Sequence, residues 1–211
     1  MNKLGNICFI IDSDSIDNAL FPALEAGINW IQYREKKRTR KEIFYNALKI
    51  REITKRFNAC FIINDYTDIA LAVDADGVHL GQDDLPIKLA RELIGNKIIG
   101  ISTHNIEEAK IAEKNGADYI GFGSIFPTTT KDDAVIQGIK PLIEVKKAVK
   151  IPIIAIGGIT ADNAKAIFEM GCYGIAVSSG ILKGDIRYNV KRLLSIIDNV
   201  RRFQSIINNA I

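Results

Sequence analysis

The chain is poor in the residues that staple folds or bind transition metals: its 211 positions hold three cysteines, two histidines, two methionines and one tryptophan. Cys8, Cys60 and Cys172 form no Cys-x-x-Cys pair, and each lies in or beside an apolar run. That excludes a disulfide framework and fits small buried residues in a reducing cytoplasm. His79 and His104 are too few for a three-histidine zinc site, and neither His-Glu-x-x-His nor Gly-x-Ser-x-Gly occurs. An excess of one charge is also missing. Lys and Arg total 28 against 25 Asp and Glu, a formal charge of +3, which gives no broad basic field for nucleic acid. The longest apolar stretch, near Ile151–Ile159, is broken by Pro152, Gly157 and Gly158, far short of a membrane span. The N-terminal run Ile7–Ile11 is too short for the apolar part of a signal peptide.

What is present is a balanced globular composition, 47% hydrophobic and 25% charged. A chain of this size buries roughly 70% of its unfolded surface, enough for a core without covalent support. Short β-branched runs recur at Ile7–Ile11, Trp30–Tyr33, Cys60–Ile63, Gly77–Leu80, Ile98–Ile101, Tyr119–Phe122, Ile151–Ile156 and Gly174–Val177, and their length and composition predict buried strands. Amphipathic stretches between them, such as Lys41–Phe57, Asn105–Asn115, Pro141–Val149 and Thr160–Met170, predict helices, the last capped by Thr160. Asp185–Asn208 predicts one long helix or a helix pair. Eight strand signals alternate with eight helical ones at about 26 residues per unit, near the lower limit for a (β/α)8 TIM barrel. A doubly wound sheet is the competitor, but the first strand leads into Asp12-Ser-Asp-Ser15 and not into a glycine-rich turn. The expectation is an α/β protein with a single barrel domain over residues 1–211.

In such a barrel the site lies at the C-terminal ends of the strands. The second strand runs Trp30-Ile-Gln32-Tyr-Arg34-Glu-Lys36, so alternation puts Gln32, Arg34 and Lys36 on one face and Tyr33 and Glu35 on the other. If the first face points inward, three polar side chains enter the mouth and need either an anionic ligand or a neighbouring carboxylate to offset desolvation. The third strand ends in Asn64-Asp65, and the fourth runs through His79 to Asp83-Asp84. Acids on adjacent strand ends suit Mg2+, which takes one or two carboxylates together with phosphate oxygens and water; the alternative for each is a helix cap or turn. His79, between Val78 and Leu80, reads as a packed, hydrogen-bonded strand residue, whereas His104 fits a site lining or a helix cap equally well.

Beyond the sixth strand, Thr128-Thr129-Thr130-Lys131 offers hydroxyl and ammonium donors for phosphate, with a polar turn as the alternative. The seventh and eighth strands end in Gly157-Gly158-Ile-Thr160 and Ser178-Ser179-Gly180. Glycines admit an anion close to the backbone, and loops at these two positions form the recurrent phosphate site of the fold.

Seven motifs, in order and at matching spacing from about Ile7 to Leu182, make the sequence resemble the thiamine phosphate synthase family. They are Gln32-Tyr-Arg-Glu-Lys36, Ile63-Asn-Asp65, His79-Leu-Gly-Gln-Asp-Asp84, Gly100-Ile-Ser102, Pro127-Thr-Thr-Thr-Lys131, Ile156-Gly-Gly-Ile159 and Val177-Ser-Ser179. The resemblance implies a transferase of thiamine biosynthesis that joins hydroxymethylpyrimidine diphosphate to thiazole phosphate and releases pyrophosphate. It implies Mg2+ on Asp65 and Asp84, a first-substrate site in which Gln32, Arg34, Lys36 and Asn64 hold the pyrimidine diphosphate and Ser102 and Lys131 complete it, and substrate contacts from Tyr33, Glu35 and Thr129. Arg34, Lys36, Ser102 and Lys131 would take the catalytic roles. Thr128, Thr130, Gly158, Ser178 and Ser179 would hold the thiazole phosphate. Small-molecule substrates, no nucleic-acid or membrane partner and a cytoplasmic location follow, with a homo-oligomer left open.

Two positions depart from the family pattern. Ser124 stands where proline is frequent, and Ser178-Ser179-Gly180 is similar to the thiazole tautomerases, which share the barrel. Those relatives place a histidine after the sixth strand's Phe-Gly, where this chain has Ser124, so tautomerase chemistry is disfavoured. A non-catalytic binder of thiamine intermediates leaves the retained metal and diphosphate residues without a purpose.

Overall fold

The computed structural model describes residues 4–128 and 135–209. Eight parallel strands close on themselves in sequence order: β1 Ile7–Ile11, β2 Trp30–Tyr33, β3 Cys60–Asn64, β4 Gly77–Leu80, β5 Ile98–Thr103, β6 Tyr119–Phe122, β7 Ile153–Ile156 and β8 Gly174–Val177. Closure is completed by β1 against β8, with Ile7 opposite Ile175 and Phe9 opposite Val177. This is the (β/α)8 barrel that the alternation of runs predicts. β7 begins at Ile153, two residues later than expected: Pro152 has no N–H to donate, and its carbonyl accepts from Ile120 at 3.0 Å. β3 and β5 extend further at their C-terminal ends, to Asn64 and Thr103.

The helices are α1 Phe21–Glu25, reached through short turns over Ser13–Ser15 and Ile16–Leu20, then α2 Arg40–Arg56, α3 Thr67–Ala72, α4 Ile87–Ile94, α5 Ile106–Lys114, α6 Lys140–Ala148, α7 Ala164–Glu169, α8 Ser179–Leu182 and α9 Ile186–Asn209. α2 starts where Thr39 and Glu42 cap each other reciprocally, satisfying two otherwise unpaired N–H groups. α7 starts later than the Thr160 cap predicts. Asn163 precedes it, and the Thr160 hydroxyl instead accepts from the Asp162 N–H at 3.2 Å in the turn before the helix. From Ile186 one continuous helix follows, packed on α1, α7 and α8 with Val190, Leu193, Ile197 and Val200 buried.

Strand alternation sorts the core into two bodies. Outward residues such as Phe9, Ile31, Tyr33, Phe61, Ile63, Phe122 and Val177 pack beneath the helices. Inward residues Cys8, Ile10, Trp30, Cys60, Ile62, Tyr119, Ile154 and Ala176 fill the barrel itself. Gly100 is needed for that filling, because a Cβ there would lie 2.0 Å from the Tyr119 ring. The three cysteines are buried and form no disulfide. No helix of the described residues is long and apolar enough to cross a membrane.

Candidate active site

Above the apolar filling, at the C-terminal ends of the strands, lies a cavity of about 600 Å3. Gln32, Arg34 and Lys36 line it from one face of β2 and its extension, so the inward direction is the one taken. The Arg34 N–H continues the β1–β2 ladder by donating to the Ile11 carbonyl at 2.8 Å. Lys36 Nζ meets Asp65 Oδ2 at 2.5 Å. Asn64, buried at the end of β3, lines the cavity beside it. Asp65 sits in the left-handed region at φ +65 and donates its N–H to the His79 carbonyl at 2.8 Å, which turns the chain at the rim.

Asp84 faces Asp65. Its Oδ2 accepts from the Gly81 N–H at 2.6 Å. Burial raises the Asp84 carboxyl above the ordinary range, the Gly81 bond opposes that, and the neighbouring Asp65 raises it further. Two facing carboxylates in a half-enclosed mouth are a hard oxygen donor set. Among the described residues no cluster of three or more His, Cys, Asp or Glu could hold a metal ion, so a cation there would complete its shell from ligand oxygens and water.

Below the rim, His79 is buried and bonded through both ring nitrogens, Nδ1 to the Tyr119 hydroxyl and Nε2 to Ser102 Oγ, each at 2.9 Å. Desolvation pushes its imidazole down to about 4, against a smaller upward pull from Asp84, so the ring is neutral at physiological pH. His104 lines the cavity and precedes Asn105, the cap of α5: its N–H donates to Glu108 Oε2 at 2.8 Å, and Nδ1 lies 3.0 Å from the same oxygen.

The opposite end of the cavity is made by the loops after β6, β7 and β8, with Thr128, Gly157, Gly158, Ser178 and Ser179 in its lining. The first two loops are joined edge to edge, Ile125 N–H to the Ile156 carbonyl at 2.8 Å and Phe126 N–H to the Gly157 carbonyl at 3.1 Å. Gly158 is required there: its φ is +62, and a Cβ would stand 2.2 Å from the Pro127 carbonyl. Thr129, Thr130 and Lys131 lie outside the described residues.

Two residues of the expected set are not brought into the cavity. Tyr33 points to the helix side, its hydroxyl 2.8 Å from Ser13 Oγ and 3.4 Å from Asn46 Nδ2. Glu35 likewise turns away, and its carboxylate accepts from the N–H groups of Ser13, Lys36 and Lys37 at 2.7–3.1 Å. Burial works to raise the Glu35 carboxyl, but these bonds outweigh it and hold it low. Conversely, Gly121, Gly123, Gln137 and Ile10 join the lining without having been singled out. Parity marks Ile10, Gly121 and Gly123 as inward, since they share the phase of their strands' other interior residues; Gln137 is set by its N–H bond to the Ser124 carbonyl, 2.7 Å, which no local pattern announces.

The cavity thus has charged groups at one end and glycine and serine loops at the other. The family model described as thiamine monophosphate synthase matches residues 7–181. This chain belongs to that family. A curated thiamine-phosphate synthase of Methanobrevibacter smithii is 46% identical over 189 residues, covering 87% of this chain and 90% of the relative. The Pyrococcus furiosus thiamine-phosphate synthase is 45% identical over 179 residues, covering 84% and 86%. The solved structure of thiamine phosphate pyrophosphorylase from Pyrococcus furiosus superposes with a TM-score of 0.84 at 40% identity, covering 92% of this chain and 96% of that one. A 3-hexulose-6-phosphate synthase superposes at TM-score 0.69 with 15% identity, a likeness of fold alone.

Proposed function

We propose that the chain is a thiamine phosphate synthase that joins hydroxymethylpyrimidine diphosphate to thiazole phosphate and releases pyrophosphate. The observation that carries this reading is the pairing of Asp65 and Asp84 beside Arg34 and Lys36 at one end of a cavity, opposite an end lined by Gly158, Ser178 and Ser179. The first suits a diphosphate and the second a monophosphate.

Gln32, Arg34, Lys36, Asn64 and Ser102 bind the first substrate, and Asp65 and Asp84 would hold Mg2+. When bound, the cation supplies positive charge against the diphosphate oxygens. Arg34 and Lys36 stabilise the negative charge that grows on the pyrophosphate as the carbon–oxygen bond breaks. The electron-rich aminopyrimidine carries the complementary positive charge on its methylene, and the thiazole nitrogen then attacks that carbon. Gly158, Ser178, Ser179 and Thr128 hold the thiazole phosphate so that the nitrogen is already in line, and this positioning supplies much of the acceleration. No protein nucleophile or base is needed for carbon–nitrogen bond formation. Thr129, Thr130 and Lys131 are assigned to the phosphate groups from the resemblance alone. The substrates are small molecules and the setting is a reducing cytoplasm, in keeping with three buried cysteines that form no disulfide. Tautomerase chemistry lacks its histidine: Ser124 occupies that position, with its hydroxyl donating to the Phe126 carbonyl at 2.9 Å.

Pyrophosphate release tests the reading, with pyrimidine diphosphate, thiazole phosphate and Mg2+ each omitted in turn. Release that requires all three, with thiamine phosphate as co-product, supports the synthase. Folded protein that releases none rejects it.

A further inference from the structure

The two residues of the Gln32–Lys36 string that turn away from the cavity converge on one neighbour, Ser13, in the turn after β1. Tyr33 meets the Ser13 hydroxyl at 2.8 Å, and Asn46 of α2 donates to the same hydroxyl at 3.1 Å. Glu35 accepts from the Ser13 N–H through Oε2 at 3.1 Å. Its other oxygen, Oε1, accepts from the N–H groups of Lys36 at 2.9 Å and Lys37 at 2.7 Å. One oxygen therefore holds the turn after β1, and the other holds the backbone that follows β2.

Glu35 is only 6% exposed. A carboxylate buried to that degree is costly unless its oxygens are fully bonded, and bonds from N–H groups to an ionised acceptor are among the strong ones. The backbone of Lys36 is thus held from the helix side of β2, while its side chain lies on the cavity side with Nζ 2.5 Å from Asp65 Oδ2. The Lys36 side chain is 52% exposed, so packing alone does not direct it. Its direction is set by the backbone from which it springs.

We propose that Glu35 is a positioning residue that acts through Lys36: it fixes the backbone from which the ammonium reaches Asp65 in the free protein and the diphosphate in the reaction. Glu35 itself touches no substrate. Tyr33 supports the same hold at one remove, by fixing Ser13. The part played in turnover rests on the proposed synthase reading, whereas the hold on Lys36 does not.

The first measurement is competitive acetylation of the lysines, read by mass spectrometry on the free protein. Glu35→Ala is expected to raise the Lys36 rate about threefold, the worth of a partly exposed ion pair. Lys97, paired with Asp74 at the opposite end of the barrel, should keep its rate. Glu35→Gln retains an oxygen for the Lys36 and Lys37 N–H groups and should show a smaller rise, and it carries the test if Glu35→Ala does not fold. A Lys36 rate unchanged in both variants overturns the proposal whatever the chain catalyses. The second measurement is affinity for inorganic pyrophosphate with Mg2+ present. Glu35→Ala should weaken it about tenfold, and in a Lys36→Ala background the same substitution should weaken it less than about twofold, because the residue it acts through is gone. KM for thiazole phosphate should stay constant. Equal losses in the two backgrounds, with a lowered Tm in each, would make Glu35 a general support of the fold and overturn the proposal. Absence of pyrophosphate binding by the unaltered chain counts against the synthase reading, and the acetylation rates still decide the role of Glu35.

Discussion

Between β2 and β4 the cavity mouth is lined by basic and acidic side chains, Arg34, Lys36, Asp65 and Asp84, whereas between β7 and β8 its described polar lining is glycine backbone and serine hydroxyls. On the proposed function the contrast follows what each end must do. A departing diphosphate gains charge during the reaction, and only full charges placed beforehand meet that demand strongly. A bound monophosphate keeps its charge throughout, so neutral donors that fix its position suffice. The charged end is accordingly self-neutralised in the free protein, with Lys36 on Asp65, while the neutral end relies on a backbone shape that only glycine allows at Gly158.

Substitutions can test whether the two ends are separable. Asp65→Ala or Asp84→Ala should lower Mg2+-dependent turnover by about 10³ while leaving the circular dichroism spectrum intact; an unchanged rate at limiting Mg2+ would remove the pair from the metal site. Gly158→Ala should act on the other end, with a Cβ forced against the Pro127 carbonyl in a left-handed backbone. It should destabilise the fold by about 1–2 kcal/mol and raise KM for thiazole phosphate more than KM for the diphosphate. Ser178→Ala and Ser179→Ala should each raise KM for thiazole phosphate by roughly fivefold, near the value of one hydrogen bond; an equal rise for both substrates would dissolve the distinction between the ends.

The smallest effect concerns stability without metal. Asp84 has a folded pKa above its unfolded one, so its ionised form opposes folding above the folded pKa, and the penalty disappears below the unfolded value. Asp84→Asn should therefore raise Tm at neutral pH in the presence of a chelator, with the gain fading as the pH falls through the carboxylate range. Added Mg2+ should raise the Tm of the unaltered chain and leave that of Asp84→Asn nearly fixed.

Much of this site is local and therefore legible in the sequence. Alternation along Trp30–Lys36 suffices to place Gln32, Arg34 and Lys36 together, because a strand has only two faces. The same alternation separates Tyr33 and Glu35 from them, although the family motif carries all five as one string. Register is what the sequence withholds. His79 reaches Ser102 and Tyr119 because Gly100 stands opposite both His79 and Tyr119 in the ladders on either side of β5, a relation among residues 40 positions apart. Seen locally, His79 is a histidine between two apolar residues, and Tyr119 is one more aromatic in a strand. The later start of α7 has a similar cause: Thr160 satisfies the rule for a cap, but its hydroxyl is used by the turn ahead of the helix.

Trp30 and Tyr119, packed edge to face with ring centroids 5.1 Å apart, close off the interior beneath the cavity. The well is blind at its barrel end and opens at the strand tips. On the proposed reading both substrates enter, and the joined product leaves, through that one opening. Kinetics should then be sequential, with product inhibition against both substrates.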